Sequence, residues 1–295
     1  MANENPLVSI IIPTYNRSHT ILRSVNSVLH QTYRNFEIII VDDGSTDNTE
    51  KLIMNLNSTQ IKYIKHSINK GAAAARNTGV IAAKGEYIAF QDSDDEWHPD
   101  KLRKQIDIFQ NLSLDVGMIY TDMWRIHNKK KYYFSSPHIM PEDGIIYNKA
   151  LNDYLAGIGL ATAIIRREVF SKIGYFDNNF PRLIDYEFFV RLSKNYKFFH
   201  IRDPLVLYYY TKASITDNKK ALLIARINFF LKYFSDIIKS RECISNNFVM
   251  IGEALIYCNY FKKAVKFYYL ALKINPKNKN VIKPLKKALK IKKVF

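Results

Sequence analysis

Short apolar runs alternate with helix-like segments through the first third of the chain, and this alternation most limits what the chain can fold into. The runs have the length and composition of strands; they are Leu7–Ile12, Phe36–Val41, Ile61–Lys65 and Tyr87–Phe90. Helical patterns follow the first three runs, at Arg17–Leu29, Ser45–Leu56 and Ala72–Ala83. Strand–helix alternation predicts an α/β fold with a mostly parallel central sheet and helices on both faces.

Turn-forming residues set the expected ends of these elements. Pro13 should end the first strand, because proline cannot continue the hydrogen bonding of a central strand. Ser45 or Thr46 should cap the second helix, and Gly85 should close the third helix in the left-handed conformation.

A polar segment follows each predicted strand or begins the helix after it. These segments are Pro13–Arg17, Asp42–Ser45, Asn69–Arg76 and Asp92–Asp95. In parallel sheets, ligands bind beyond the carboxyl ends of the strands. We therefore expect the four segments to converge on one crevice.

The last of these segments carries an unusual density of negative charge. Asp92, Asp94, Asp95 and Glu96 place four carboxylates in five positions at the end of a predicted strand. Hard divalent cations take oxygen ligands, and carboxylates at i and i+2 can share one ion. Bound magnesium or manganese would also take phosphate oxygens, which indicates a nucleotide site. A solvated acidic turn is the alternative at this point.

Other phosphate-binding motifs are missing from the sequence. No Gly-x-Gly-x-x-Gly follows the first run, and no Gly-x-x-x-x-Gly-Lys-Ser/Thr occurs anywhere. The Asp92-Ser-Asp94 pattern also occurs in phosphohydrolases that form an aspartyl-phosphate, but here it follows the fourth strand rather than the first. The net charge of +17 favours anionic partners in general. Without a recognition motif beyond charge, we predict no nucleic-acid partner.

Composition also bears on where the protein works. Cys243 and Cys258 are the only cysteines, too few for a disulfide scaffold or a zinc site, so a reducing compartment is expected. Met1–Pro6 has no signal-peptide pattern. No apolar run approaches the ~20 residues that cross a bilayer. We predict a cytoplasmic protein, with peripheral attachment to the inner face of the cell membrane as an option.

Together the motifs resemble the family 2 glycosyltransferases, which have the GT-A fold. The matching pieces keep the family's order and approximate spacing; they are Ser9–Arg17, Val41–Thr49, Asn69–Asn77 and Asp92–Trp97. The similarity covers about Leu7–Thr216. It implies a GT-A domain over residues 1–216, with a nucleotide-binding half (about 1–95) and an acceptor and catalytic half (96–216).

The resemblance also implies roles for side chains in these motifs. The nucleotide-sugar-binding residues would be Pro13, Thr14, Tyr15, Arg17, Asp42, Asp43, Gly71, Arg76, Asp92 and Ser93. Among these, Tyr15 would stack on the base, Asp43 would accept hydrogen bonds from the base or ribose, and Arg76 would reach the pyrophosphate. Asp94, with Asp92, would hold Mn²⁺ or Mg²⁺. The structural alternatives are a core role for Tyr15, helix capping for Asp43 and a solvated helix face for Arg76.

The family's general base maps onto the segment Leu183–Leu192. The family carries Glu-Asp-x-Asp/Glu here, which places the base at Asp185 and leaves Ile184 where the Glu usually stands. Asp185 and Glu187 would point about 200° apart on a helix, so they cannot share one role. Capping of its own helix is the alternative for Asp185. Farther on, Thr211 replaces a histidine that the family often has three residues before a serine.

Residues 217–295 change in character and are predicted to form a helical region. Phe261–Pro276 matches the second half of a tetratricopeptide-like unit, and such units need neighbours to bury their faces. We therefore expect these helices to pack on the catalytic domain or on another subunit, which would allow a homo-oligomer. Val281–Phe295 is a basic amphipathic helix or a frayed tail that could lie on an anionic membrane. A solvated lysine-rich tail is the alternative.

The activity implied by the resemblance is inverting transfer of a sugar from a nucleotide-sugar, UDP-linked by preference. The acceptor would be a hydroxyl of a glycan or polyprenyl-linked molecule in cell-surface polysaccharide synthesis. Two other functions stay open at this point: a metal-dependent phosphohydrolase using the Asp-x-Asp, and a non-catalytic basic binding protein.

Overall fold

The chain divides into two compact units in the computed structural model, which describes residues 5–140, 144–210 and 218–292. The first unit comprises Met1–Tyr147, Leu155–Asn178 and Phe188–Lys212. The second comprises Asn148–Tyr154, Asn179–Glu187 and Ala213–Phe295. The second unit thus includes two short segments that precede residue 217, and the predicted domain boundary at 216 stays a prediction.

The first unit alternates strands and helices along the chain. Its elements are β1 (Val8–Thr14), α1 (Ile21–Leu29), β2 (Phe36–Asp42), α2 (Thr49–Met54), β3 (Ile61–Lys65), α3 (Ala72–Ala82), β4 (Tyr87–Phe90), β5 (Glu96–Trp97), α4 (Lys101–Phe109), β6 (Val116–His127) and β7 (Lys130–Phe134). After α5 (Tyr147–Ala150), they continue as β8 (Ile164–Arg166), α6 (Arg167–Ile173), α7 (Ile184–Leu192) and β9 (Lys197–Tyr209). Along the chain, α5 and α7 each run from one unit into the other.

The nine strands form one mixed sheet around a parallel centre. The strand order is β3-β2-β1-β4-β8-β6-β9-β5, and β7 pairs with β6. Strands β3, β2, β1 and β4 are parallel to one another, while β8 runs antiparallel to both β4 and β6. The predicted α/β fold is therefore confirmed, and antiparallel strands extend its parallel centre.

Both faces of the parallel centre are covered by helices. Successive residues of a strand point to opposite faces. Ile10 and Ile38 belong to the apolar cluster that contains Val25 of α1 and Ile106 of α4. Ile39 belongs to another cluster with residues of α3. The runs Ile10–Ile12 and Ile38–Val41 are thus apolar without interruption, because neither face of these strands meets water.

The first strand is longer than predicted and includes Pro13. In the register with β2, Pro13 lies opposite Val41 and Thr14 opposite Asp42. Pairing with β4 stops earlier, at Ile11. Since β1 has a neighbour on only one side from that point on, the missing N–H of proline is tolerated.

Two predicted helix ends are wrong. Helix α2 begins only at Thr49, and Ser45 does not cap it, because its hydroxyl oxygen accepts the Asn16 amide instead. Helix α3 ends through Ala83 in an extended conformation, and Gly85 has no positive φ. Gly85 is required for a different reason: a Cβ there would lie 2.6 Å from the backbone nitrogen of Ser9.

The second unit is helical. It contains α8 (Lys219–Lys232), α9 (Phe234–Ile237), α10 (Arg241–Tyr257), α11 (Phe261–Ile274) and α12 (Ile282–Lys292). Ala264 and Ala271 of α11 are fully buried, and a Cβ on Gly252 of α10 would lie 2.5 Å from the ring of Tyr268. Small residues therefore let α10 and α11 approach closely. Among the described residues, none of the helices combines the length and apolar character that crossing a membrane requires.

Lys101 is a charged residue placed in the core of the first unit. Its side chain is fully buried; its amine donates to Gln105 Oε1 over 2.6 Å and lies 4.1 Å from the centroid of the Trp97 ring. Burial lowers the pKa of Lys101 well below its ordinary value of 10.5. A buried ammonium with so few polar contacts costs stability.

We expect Lys101→Met to raise the free energy of unfolding by about 1–2 kcal/mol at neutral pH, since the similar volume keeps the packing. The unfolded chain keeps the lysine proton up to about pH 10, whereas the folded protein loses it earlier. Wild-type stability should therefore rise with pH between the lowered pKa of Lys101 in the folded protein and about pH 10. This rise should be smaller in the variant, which lacks the titrating amine. Urea denaturation at several pH values measures both effects. Lys104→Met, on the exposed side of the same helix, removes an exposed ion pair with Asp203 and should lower the free energy of unfolding by less than about 1 kcal/mol. Equal stability of Lys101→Met and wild type would contradict the argument.

Candidate active site

The structure brings the four polar strand-end segments together through a closed ring of contacts. The first two segments are joined by the main-chain N–H of Asn16, which donates to Ser45 Oγ over 2.8 Å. The second and third are joined by the Gly71 amide, which donates to Asp43 Oδ2 over 2.7 Å. Gly71 has φ +91°, a conformation that favours glycine, so this turn depends on the residue type.

Two ion pairs complete the ring at the acidic turn. Arg76 Nη2 lies 3.3 Å from Asp92 Oδ1 and joins the third segment to the fourth. Arg17 Nη2 lies 3.6 Å from Asp94 Oδ2 and joins the first segment to the fourth. Each guanidinium offsets part of the repulsion among the carboxylates. The same two guanidinium groups are suited to bind phosphate oxygens.

Tyr15 occupies the rim of this site. It is 45 % exposed, so it does not serve the core, which was the structural alternative for this residue. The next residue, Asn16, has φ +51°, and this left-handed residue turns the chain away from β1. Thr14 is buried, and its carbonyl oxygen accepts the Asp43 amide over 2.8 Å. The main-chain carbonyl of Thr14 therefore helps to hold the Asp42–Ser45 segment in place.

Asp42 has a structural role in the second segment. It is fully buried; its Oδ1 accepts the Ser45 amide over 2.7 Å and its Oδ2 accepts the Tyr63 hydroxyl over 2.6 Å. Burial and this hydrogen bond raise the pKa of Tyr63. A fully buried carboxylate leaves no surface for a ligand, so Asp42 is removed from the proposed ligand set.

Asp43 fastens the third segment to the second. Its Oδ1 accepts the Lys70 amide over 2.9 Å and lies 2.7 Å from His66 Nδ1, while its Oδ2 accepts the Gly71 amide. Helix α2 has Asn48 at its N-cap position, so Asp43 does not cap that helix. A carboxylate has about four acceptor positions, which leaves one for a ligand.

His66 was missed by the sequence analysis, although it directly follows β3 at the same edge of the sheet. The residue is buried, and its two ring nitrogens lie 2.7 Å from Asp43 Oδ1 and 2.9 Å from Thr78 Oγ1. These contacts fit the tautomer in which Nδ1–H donates to Asp43 and Nε2 accepts the Thr78 hydroxyl. His66 thus fixes the Asp43 carboxylate.

We expect His66→Ala to weaken binding of a nucleoside diphosphate by roughly tenfold, the effect of one hydrogen bond to a buried charge. Thr78→Val, which removes only the outer hydrogen bond, should weaken it less. Isothermal titration calorimetry of both variants with UDP measures the effect, and circular dichroism checks their folding. UDP affinity of His66→Ala equal to that of wild type would show that His66 does not support the Asp43 position.

Arg23 and Ser24, in α1, hold the main chain of the acidic turn. Arg23 Nη2 donates to the Asp94 carbonyl oxygen, and Ser24 Oγ donates to the Asp92 carbonyl oxygen over 2.9 Å. The Arg23 guanidinium also lies 3.8 Å from the centroid of the Tyr209 ring. These contacts set the direction of the two carboxylates. The sequence offered only a weak signal for them, a polar pair inside an otherwise amphipathic helix.

Asp95 ties the end of β9 to the same turn. It is fully buried, and its Oδ1 accepts the Tyr209 amide over 2.9 Å. Its Oδ2 has no hydrogen-bond partner among the described residues. Burial, followed by the charge of Asp92, raises the pKa of Asp95 well above its usual value. Asp95 is therefore a positioning residue, which links the acidic turn to the main chain of β9 and is too buried to contact a ligand.

The donor set at the acidic turn suits a hard divalent cation. Among the described residues, no cluster of three or more His, Cys, Asp or Glu side chains could enclose a metal ion. Mg²⁺ and related ions are commonly held by only one or two carboxylates together with substrate phosphates. Asp94 and Asp92 fit that arrangement.

In the second unit, Asp185 lies in the first turn of α7, after Leu183 with φ +60°. Its Oδ1 accepts the Tyr186 amide over 2.8 Å. Glu187 is fully buried, and its Oε1 lies 2.7 Å from Lys232 Nζ and accepts the Tyr233 hydroxyl over 2.8 Å. Glu187 therefore has a structural role, and Asp185 remains the candidate base of this helix. Thr211, where the family often has a histidine, lies outside the described residues.

Sequence comparison assigns the family. The sequence model described as Glycosyl transferase family 2 matches residues 9–174, more than half of the chain. This chain belongs to glycosyl transferase family 2. The family 2 assignment confirms the predicted glycosyltransferase, and it gives no support to a phosphohydrolase or a non-catalytic binding protein.

Two curated relatives of this family 2 enzyme are bacterial glycosyltransferases. The chain is 35% identical over 215 residues to the Escherichia coli UDP-Glc:alpha-D-GlcNAc-diphosphoundecaprenol beta-1,3-glucosyltransferase WfgD, covering 72% of this chain and 81% of the relative. It is 32% identical over 214 residues to the amylovoran biosynthesis glycosyltransferase AmsB of Erwinia amylovora, covering 68% of this chain and 69% of that protein.

Solved structures share the fold of this family 2 enzyme. A crystal structure of S. aureus TarS in complex with UDP-GlcNAc matches with TM-score 0.61 at 17% identity, over 97% of this chain and 91% of that one. The mannosyltransferase PcManGT from Pyrobaculum calidifontis, in complex with GDP-Man and Mn²⁺, matches with TM-score 0.61 at 18% identity, over 92% and 76%. The predicted GT-A fold with C-terminal helices is confirmed.

Proposed function

We propose that this glycosyltransferase inverts the anomeric centre as it moves a sugar from a UDP-sugar to a hydroxyl of a glycan or polyprenyl-linked acceptor in cell-surface polysaccharide synthesis. The ring of contacts that places Arg17 and Arg76 at the acidic turn is the observation that carries the donor site. The activity of WfgD, which uses UDP-Glc and an undecaprenol-linked acceptor, supports the choice of donor and acceptor.

In the proposed donor site, the nucleotide lies along the ring of contacts. Tyr15 stacks on the base beside Pro13, since a half-exposed tyrosine ring offers a flat apolar face. Asp43 accepts a hydrogen bond from the base or ribose at its remaining position. Arg17 and Arg76 bind the diphosphate.

Asp94, with Asp92, is proposed to hold Mn²⁺ or Mg²⁺. When bound, such an ion stabilises the negative charge that develops on the leaving diphosphate. The Mn²⁺ in the PcManGT complex supports this proposal, as does the carboxylate pair of this chain. Ser93 and Gly71 contribute their main chain to the same rim.

Asp185 is the proposed general base. Its carboxylate takes the proton from the acceptor hydroxyl as the oxygen attacks the anomeric carbon, and the bond from that carbon to the diphosphate oxygen breaks. The electron pair leaves with UDP, so no covalent sugar–enzyme intermediate is needed. The position of Asp185 in the family motif supports this role, and so does the engagement of Glu187 with Lys232.

The remaining features of the proposal come from sequence. We place the protein in the cytoplasm, with the basic helix that begins near Val281 as one contact to an anionic inner membrane leaflet. The helices of the second unit offer surfaces for a homo-oligomer. No nucleic-acid partner is proposed.

A nucleotide screen tests this function directly. Thermal shift with UDP, GDP, CDP and dTDP, each with and without Mn²⁺, should show the largest stabilisation for UDP with metal. Mass spectrometry of reactions with a panel of UDP-sugars and a polyprenyl-diphosphate-linked sugar should then show one added hexose or N-acetylhexosamine. Stabilisation by another nucleotide alone would overturn the UDP assignment, and products formed only on soluble glycans would overturn the lipid-linked acceptor.

A further inference from the structure

Five large apolar side chains lie exposed along α8 and α9. They are Ile224, Ile227, Leu231, Phe234 and Ile238, each 40–65 % exposed, and we call them the outer stripe. The spacing of three and four residues places Ile224, Ile227 and Leu231 along one side of α8. Phe234 begins α9 and Ile238 directly follows it, after the turn at Tyr233. Such a continuous apolar surface marks an interaction site more often than a chance exposure.

The other side of α8 is also apolar, and it is already packed. Ala221, Ala225 and Phe229 are buried, and the Phe229 ring lies 5.4 Å from that of Tyr186. Phe230 packs with its ring 5.6 Å from Phe248 of α10. A helix that is apolar on opposite sides is normally covered on both. The second unit covers one side of α8, and the outer stripe needs a further partner.

The segment around the outer stripe contains more basic than acidic residues. Residues 218–240 contain five basic residues, Lys219, Lys220, Arg226, Lys232 and Lys239, and a single acidic residue, Asp236. Three of the five are paired with acids: Lys239 with Asp236 over 2.6 Å, Lys232 with Glu187 over 2.7 Å and Arg226 with Asp153 over 3.0 Å. Lys219 and Lys220 are exposed just before the stripe, and Lys239 is exposed just after it. An apolar row flanked by lysines is typical of helices that lie in a membrane interface.

We propose that the outer stripe docks the protein on an anionic lipid surface. The five apolar side chains enter the headgroup region, and the lysines at both ends of the stripe meet the lipid phosphates. This inference rests on the proposed function, because a polyprenyl-linked acceptor is presented at a membrane. It assigns the contact to α8 and α9, a surface distinct from the lysine-rich C-terminal helix.

Charge, and not area, favours a lipid surface over a second copy of the chain. Taking about 200 Å² for a large side chain, five half-exposed side chains offer roughly 500 Å² of apolar surface, which is close to the apolar share of a standard dimer interface. A second copy would carry the same net charge of +17, whereas anionic lipid attracts that charge. Affinity for a membrane interface grows with the buried apolar area and the number of lysines.

Vesicle co-sedimentation of the full chain tests the proposal. We expect binding to vesicles of equal parts phosphatidylcholine and phosphatidylglycerol, and weak binding to phosphatidylcholine alone. The double variant Ile227→Glu with Leu231→Glu should lower the affinity about tenfold or more, and Lys219→Gln with Lys220→Gln should lower it in a salt-dependent way. Leu270→Glu, at an exposed leucine of α11, is the matched control and should bind as wild type.

Three results would overturn the proposal. The first is vesicle binding by the double glutamate variant equal to that of wild type, and the second is binding lost only when Lys283, Lys286 and Lys287 of α12 become glutamine. The third is a wild-type oligomer in solution that the glutamates dissociate without changing vesicle binding, which would make a second copy the partner. UDP binding, measured on the same samples without lipid, should be unchanged in the variants. Wild-type protein that binds vesicles but no nucleotide would refute the proposed function and leave the docking surface standing.

Discussion

Asp185→Asn should lower the rate of glycosyl transfer by about 10²–10⁴-fold, the usual contribution of a general base. Asparagine has nearly the same shape and keeps an oxygen that can accept the Tyr186 amide. It cannot take a proton from the acceptor hydroxyl. Because the change leaves the donor site in the first unit untouched, the dissociation constant of UDP should stay within about twofold of wild type. Steady-state kinetics with saturating donor and calorimetry with UDP measure the two quantities separately.

Glu187→Gln provides the matched control on the same helix. Glu187 is buried against Lys232 and Tyr233, so its loss should leave the Lys232 ammonium poorly paired and lower the free energy of unfolding by about 1–3 kcal/mol. The turnover of the folded fraction should remain close to wild type. Turnover of Asp185→Asn near the wild-type value would make the base assignment wrong. A large loss of kcat in Glu187→Gln, with its stability unchanged, would move the role to that residue.

The parallel centre of the fold could be predicted because its signal is local. The central strands carry continuous apolar runs, Ile10–Ile12 and Ile38–Val41, because both of their faces are covered. The predicted bounds of Ile61–Lys65 and Tyr87–Phe90 match those of β3 and β4. Element ends depend on neighbours that are distant in sequence. Pro13 continues β1 because pairing with β4 stops at Ile11, and no local pattern reveals that pairing.

In the candidate site, too, the residues in local motifs could be predicted and the distant groups that hold them could not. Asp92, Asp94, Arg17 and Arg76 could be named because they lie in strand-end motifs, and the structure joins them in one ring. The groups that fix those side chains come from elsewhere. Arg23 acts on the carbonyl oxygen of Asp94, at a sequence separation of 71, and it carries no motif of its own. Hydrogen bonds between a side chain and a distant main chain leave almost no trace in a single sequence.

Asp94→Asn should weaken binding of UDP in the presence of Mn²⁺ by at least about tenfold, the scale of losses at metal sites. An amide is a weaker ligand than a carboxylate for a hard divalent cation. Without metal, the same change should leave UDP binding unchanged or slightly stronger, because Arg17 loses its carboxylate partner and keeps its charge for the diphosphate. Calorimetry with Mn²⁺ and with EDTA gives both constants.

The comparison of the two conditions is what separates a metal ligand from a structural carboxylate. Replacing a residue that only shaped the turn would change the UDP affinity by the same factor with and without Mn²⁺. Replacing a metal ligand would lower only the UDP affinity measured with Mn²⁺. Asp107→Asn, at an exposed acid of α4, controls for the loss of one negative charge and should alter neither constant. Equal losses for Asp94→Asn in both conditions would assign Asp94 to the turn. Since Arg23 and Ser24 already hold that turn through its carbonyl oxygens, the Asp94 carboxylate is not needed to shape it, and we expect the metal-dependent result.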